Sequence, residues 1–73
     1  MDLEQLMQGV PTTGAEFLLR RRLLGLTRTA VARELGVSDV TLKRYEELPQ
    51  AHPMERRARW QAALEQAVIQ RGI

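Results

Sequence analysis

The chain has 73 residues and a mass of 8.3 kDa, which leaves room for one hydrophobic core and no second domain. It has no cysteine and one histidine, which excludes a disulfide, a thiolate metal site and an imidazole cluster. The formal net charge is only +2, yet the pI is near 9.9 and nearly every basic residue is Arg. A self-contained enzyme of this size is not expected, nor is a cofactor or a small-molecule ligand. No apolar run approaches the roughly 18 residues of a membrane span, and no signal peptide is legible, so a soluble, cytoplasmic protein is expected. The three aromatics Phe17, Tyr45 and Trp60 stand in an otherwise aliphatic composition, which points to an all-α core.

Residues 1–11 read as a weakly structured lead, partly flexible, ending at Gly9 and Pro11. Leu3, Leu6, Met7 and Val10 have helical spacing within it, enough for a turn or two that docks on the body. Residues 12–73 form the expected domain. Its first helix opens at Thr12 or Thr13, either of which can cap it with Glu16 in the first turn, and runs to about Leu24 before Gly25. Two stripes compete to be its inward face: Phe17, Arg21 and Leu24, or Ala15, Leu19 and Leu23. Arg20, Arg21 and Arg22 lie between them, with stems able to cover apolar surface while the heads stay wet.

Thr27 caps a second helix over residues 28–35, which Gly36 ends. Ser38 caps a third, from Asp39 to about Leu48, where Pro49 stops it. Asp39 in the first turn suits the positive end of the helix dipole. Pro53 fits the first position of a fourth helix, which runs to about Gln70 with Gly72 as its stop. Trp60, Leu64, Ala67 and Val68 form one apolar stripe on it, flanked by Ala58, Ala62 and Ile69. No strand pattern follows the third helix.

Charge is unevenly distributed. Residues 1–16 carry net −3, residues 17–44 net +5, and residues 45–73 net zero. A basic centre of this kind fits contact with a polyanion, and it fits equally a solvated helix face; charge by itself leaves both open. The segment from Thr27 to Glu46, TRTAVARELGVSDVTLKRYE, narrows the choice. It puts a cap, a small residue where helices cross (Ala32), a Gly turn, a plugging hydrophobe (Val37) and a second cap in register. That is the pattern of a helix-turn-helix, whose second helix can enter the roughly 12 Å major groove.

From Gly25, GLTRTAVARELGVSDVTLKRYE resembles the lambda-repressor-like helix-turn-helix family of Cro and Xre type. The preceding helix with its central Arg21 fits that family, and HPMERRARWQAALEQA from His52 is similar to the last helix of small phage and plasmid repressors. The resemblance implies a domain of four to five helices. It also implies base contacts from Asp39, Val40, Lys43 and Arg44. Phosphate contacts are implied from Arg28 and Thr29, and from Thr41, Gln50 and His52. Arg44 suits a guanine, Asp39 a cytosine amine or a plain capping role, and Val40 a thymine methyl. Arg20 departs from the family, which usually places an apolar residue there.

The expected function is a DNA-binding transcriptional repressor, an autoregulator of phage or plasmid type, bound to an inverted-repeat operator on double-stranded DNA. A single recognition helix reads few base pairs, so a homodimer is expected, with Trp60, Leu64, Val68 and Ile69 at its interface. Two rivals remain: an excisionase-like or MerR-like DNA-binding module, and a helical protein-interaction module of antitoxin-like or sigma-binding kind. An exposed acidic pair, Glu46 and Glu47, leaves open an activating contact with polymerase. No acid–base pair, phosphate loop or metal-ligand spacing is present.

Overall fold

The computed structural model describes residues 10–71. Most of the expected lead, residues 1–9, and the Gly72 stop lie outside the described residues. Four helices follow in order: α1 (Gly14–Leu23), α2 (Arg28–Leu35), α3 (Asp39–Glu47) and α4 (Met54–Arg71). The fold is all-α. Among the described residues, the only strand-like pairing is an isolated antiparallel bridge between Thr13 and Ala51.

The caps explain where the helices begin. Thr13 Oγ1 accepts from the Glu16 N–H at 3.4 Å, Thr27 Oγ1 from Ala30 at 3.1 Å, and Ser38 Oγ from Thr41 at 3.1 Å. The reciprocal half of the first capping box is displaced by one residue. Glu16 Oε2 accepts from the Thr12 N–H at 2.7 Å, which ties down the chain just before the helix. Gly36 ends α2 at φ 80°, a conformation that costs a side-chain-bearing residue energy, and its N–H bonds the Ala32 carbonyl at 2.9 Å. The helix limits differ from expectation by a residue at several ends, since Leu24 and Leu48 serve as C-caps and Pro53 stands just outside α4.

Packing resolves the ambiguous face of α1. Phe17 turns inward and stacks on Trp60, with ring centroids 4.1 Å apart and planes inclined by 2°. Leu19 and Leu23, on the rival stripe, stay exposed. The core joins Phe17, Leu26, Val31, Ala32 and Leu42 to Trp60, Ala63, Leu64 and Ala67 of α4. Two arginines are drawn in as well. The heads of Arg20 and Arg21 do not stay wet as expected: both residues are buried, and only Arg22 of the triple is exposed. Arg20 Nη1 donates to Gln61 Oε1 at 3.1 Å, which fills with a polar bond a position usually apolar in the family. Burial lowers the Arg20 pKa from its ordinary value, and the nearby Glu16 charge opposes that shift.

The same core corrects the expected dimer surface. Trp60 is 0% exposed and Leu64 is 1% exposed, so both complete the core of a single chain and neither faces a second one. The stripe on α4 is wide, and α1 and α2 cover its near side. Only Val68, half-buried, and Ile69, 54% exposed, remain at its outer edge.

Candidate nucleic-acid interface

The site is built on α2, the turn at Gly36, and α3. Leu42 at 0% exposure and the half-buried Tyr45 fix one face of α3 against the body. With a helical repeat of 3.6 residues, this orientation sends Asp39, Val40, Lys43 and Arg44 outward, and all four are exposed. Val40 is 68% exposed, an apolar side chain held in water beside two cations. The structure therefore brings the four expected base-contacting residues onto one accessible face.

A buried ion network ties α3 to α1 and to the start of α2. Arg21 Nε donates to Glu46 Oε2 at 2.7 Å and its Nη2 to Oε1 at 3.4 Å, while Nη1 reaches the Leu26 carbonyl at 3.1 Å. The fork of one guanidinium thus binds α3 and the loop before α2 to α1. Arg28 Nε, from the start of α2, also donates to Glu46 Oε1 at 3.4 Å. The Glu46 side chain is 3% exposed. The exposed acidic pair expected at Glu46 and Glu47 is therefore not formed; Glu47 alone faces solvent. A signal for this was available: Glu46 lies four residues after Leu42, on the inward face, and a buried carboxylate demands a cation such as Arg21.

The expected phosphate-contacting residues divide. Thr29 and Gln50 are exposed, and Arg28 is partly exposed. Thr41 is half-buried and accepts at 2.8 Å from the Ser38 hydroxyl, as part of the cap. His52 is a correction. It is 4% exposed, its Nε2–H donates to the Tyr45 carbonyl at 2.9 Å, and Nδ1 accepts from Arg56 at 3.3 Å. The Arg56 guanidinium also lies 4.4 Å above the Tyr45 ring. His52 thus pins the loop after α3 from inside and has no free edge for a phosphate. The sequence placed it correctly in a loop, but the bridge at Ala51 and the His52 N–H bond to the Thr12 carbonyl fold that loop inward.

Gly14 is a residue whose importance the sequence did not disclose. A Cβ there would stand 2.0 Å from the Tyr45 carbonyl oxygen and 2.8 Å from Glu46 Cα. The first turn of α1 therefore touches the backbone of the recognition helix.

The chain matches the helix-turn-helix family model over residues 18–58, a span that includes most of α1, all of α2 and α3, and the start of α4. The protein belongs to that helix-turn-helix family, of Cro/C1 type. It is accordingly a DNA-binding helix-turn-helix regulator. Members of this family are DNA-binding regulatory domains and generally not enzymes. No curated protein and no solved structure matches the chain. No helix among the described residues is long and apolar enough to cross a membrane. The wing of a MerR-like module has no counterpart there either: after α3 come a short loop and the 18 residues of α4.

Proposed function

We propose that this regulator is a sequence-specific transcriptional repressor that binds an inverted-repeat operator through the major groove as a homodimer. The observation that carries the reading is the exposed row Asp39, Val40, Lys43 and Arg44 on a helix whose opposite face is locked by Leu42 and Glu46. Arg44 serves as the guanine reader and Lys43 as a base or phosphate contact, while Val40 meets a thymine methyl. Thr29, Gln50 and the N-terminal N–H groups of α2 face the backbone of the duplex. Repression follows from occupying a promoter that overlaps the operator, and an autoregulated phage or plasmid gene in the cytoplasm is the setting this layout suits.

Selection of bound sequences from random duplex DNA tests the reading. An inverted repeat with half-sites about one helical turn apart is expected. Arg44→Ala is expected to relax one base position by about 1–3 kcal/mol. No enriched sequence at moderate salt would sink the proposal. A protein-binding module would also lack the steep loss of affinity with salt that several phosphate contacts produce.

The dimer half of the proposal rests on apolar side chains left in water. A groove of about 410 Å³ lies between α1 and α4, with Leu24, Val68 and Ile69 on its apolar side and Arg20, Gln61 and Glu65 on its polar side; Leu64 forms only its buried floor. Leu23 is 44% exposed. Ile69→Asp is expected to shift the protein from dimer to monomer in sedimentation while its helical circular dichroism is kept and its melting temperature loses its dependence on protein concentration. A dimer that survives this change must use another face.

A further inference from the structure

Arg28 stands at the first position of α2, where it could grip a phosphate, yet in the free protein its charge is already committed. Nε lies 3.4 Å from Glu46 Oε1, and Nη1 lies 3.7 Å from Asp39 Oδ2. The Thr29 hydroxyl donates to the other Asp39 oxygen, Oδ1, at 3.2 Å. With Arg21 on Glu46, the cluster holds two guanidinium groups and two carboxylates. It therefore offers a phosphate no net charge, although it lies at the edge of the basic face.

The two carboxylates differ in how firmly they are held. Glu46 has a 3% exposed side chain and is gripped by Arg21 at 2.7 Å, so it cannot leave. The Asp39 side chain is 47% exposed and its pair with Arg28 is long. Arg28 can turn to a phosphate by letting Asp39 go. Asp39 is then left with the Thr29 hydroxyl alone, beside a polyanion. A base amino group in the major groove, on cytosine or adenine, supplies the missing donor; a base edge that carries only acceptors repels the carboxylate.

We propose that Arg28 and Asp39 form an exchange pair, in which Arg28 passes from Asp39 to a DNA phosphate only where a base amino group takes its place on Asp39. Backbone contact thereby becomes conditional on base reading, and Asp39 is a specificity-determining residue acting partly through Arg28. The inference rests on the proposed sequence-specific binding and goes beyond it. A phosphate contact acting alone weakens every duplex equally when lost. Here the loss of Arg28 weakens the selected duplex more than a random one.

The test is a double-mutant cycle on DNA affinity at fixed salt. It uses wild type, Asp39→Asn, Arg28→Gln and the double variant, each with the selected duplex and a random one. Asparagine keeps the acceptor for Thr29 and removes the charge, and glutamine keeps a donor for Glu46; thermal melts check that all four fold. Asp39→Asn is expected to bind the random duplex roughly three- to tenfold tighter and to gain less on the selected one. In the Arg28→Gln background most of that gain disappears. An equal gain in both backgrounds reduces Asp39 to a removable negative charge and overturns the exchange pair, as does an equal gain on both duplexes. If wild type selects no sequence at all, the proposed function fails and takes this inference with it. If it selects one and the cycle is additive, only the exchange pair fails.

Discussion

Replacing Glu46 by alanine is expected to remove about 3–5 kcal/mol of folding stability, enough to unfold most of a domain of this size at room temperature. Glu46 is the acceptor for both Arg21 and Arg28. Without it the Arg21 guanidinium remains buried, with the Leu26 carbonyl as its remaining partner in the network, and a buried charge stripped of its counter-charge is among the most costly defects in a core. Urea denaturation of the variant checks the figure. A loss below about 1 kcal/mol would show that Arg21 swings out to water and that the network contributes little. The companion variant separates charge from packing. Arg21→Met with Glu46→Leu removes both charges together and is expected to recover most of the stability, since apolar replacements of a buried pair are often neutral or better. That double variant also probes function. If the network sets the angle of α3, the stable double variant should bind the selected duplex more weakly than wild type even though Val40, Lys43 and Arg44 are untouched.

Gly14→Ala is expected to cost about 3 kcal/mol, although alanine is the better helix former and the position lies in the first turn of a helix. The contact at 2.0 Å is to the Tyr45 carbonyl oxygen, a backbone atom that cannot rotate aside, and Glu46 Cα at 2.8 Å closes the other route. Relief requires α1 to move away from α3. That movement lengthens the bonds from Arg21 to Glu46 and strains the His52 bond to the same Tyr45 carbonyl. A fall in melting temperature of about 10 °C or more is the expected reading, given that about 1 kcal/mol shifts a domain this small by several degrees. A variant as stable as wild type would mean that the two helices can part without loss, and the close approach would then matter little. Gly36→Ala makes an instructive contrast. There no atom lies within 4 Å, so any cost arises from the backbone conformation alone.

These two positions show what a single sequence discloses. The helix starts were legible because caps act locally: Thr13, Thr27 and Ser38 bond to N–H groups three residues ahead, whatever the rest of the chain does. The turn at Gly36 was legible for the same reason, since a positive φ is a property of one residue. The outward row on α3 came from the family resemblance, which carried Asp39, Val40, Lys43 and Arg44 to the outward positions of that helix; with Leu42 turned inward, all four are exposed. The resemblance to a helix-turn-helix family rested on the caps at Thr27 and Ser38, the turn at Gly36 and the helices around them, and the family match over residues 18–58 covers these.

What was not legible concerns pairs distant in sequence. Arg21 and Glu46 are 25 residues apart, so although the four-residue step from Leu42 puts Glu46 and not Glu47 on the inward face, no local feature names its partner. Trp60 and Leu64 read as an interface stripe because an amphipathic helix reports that it has an apolar face and not what covers it. Here Phe17 and the α2 residues cover it within one chain. His52 had the composition of a loop residue with a phosphate in reach, until the pairing of Ala51 with Thr13 turned its ring inward.

The opening arithmetic divides along the same line. By itself the sequence determined an all-α chain with one core, three capped helices, a fourth opened by Pro53, and a basic centre on a helix-turn-helix, because periodicity, capping and turn chemistry act over a few residues. Only the tertiary structure decided which arginines face solvent. Arg20 and Arg21 are spent inside, and Arg28 is shared between two carboxylates. Lys43 and Arg44 are left in the open on the recognition helix. Charge counting cannot make that distinction, since a cation's availability depends on burial and on partners that folding brings from far along the chain.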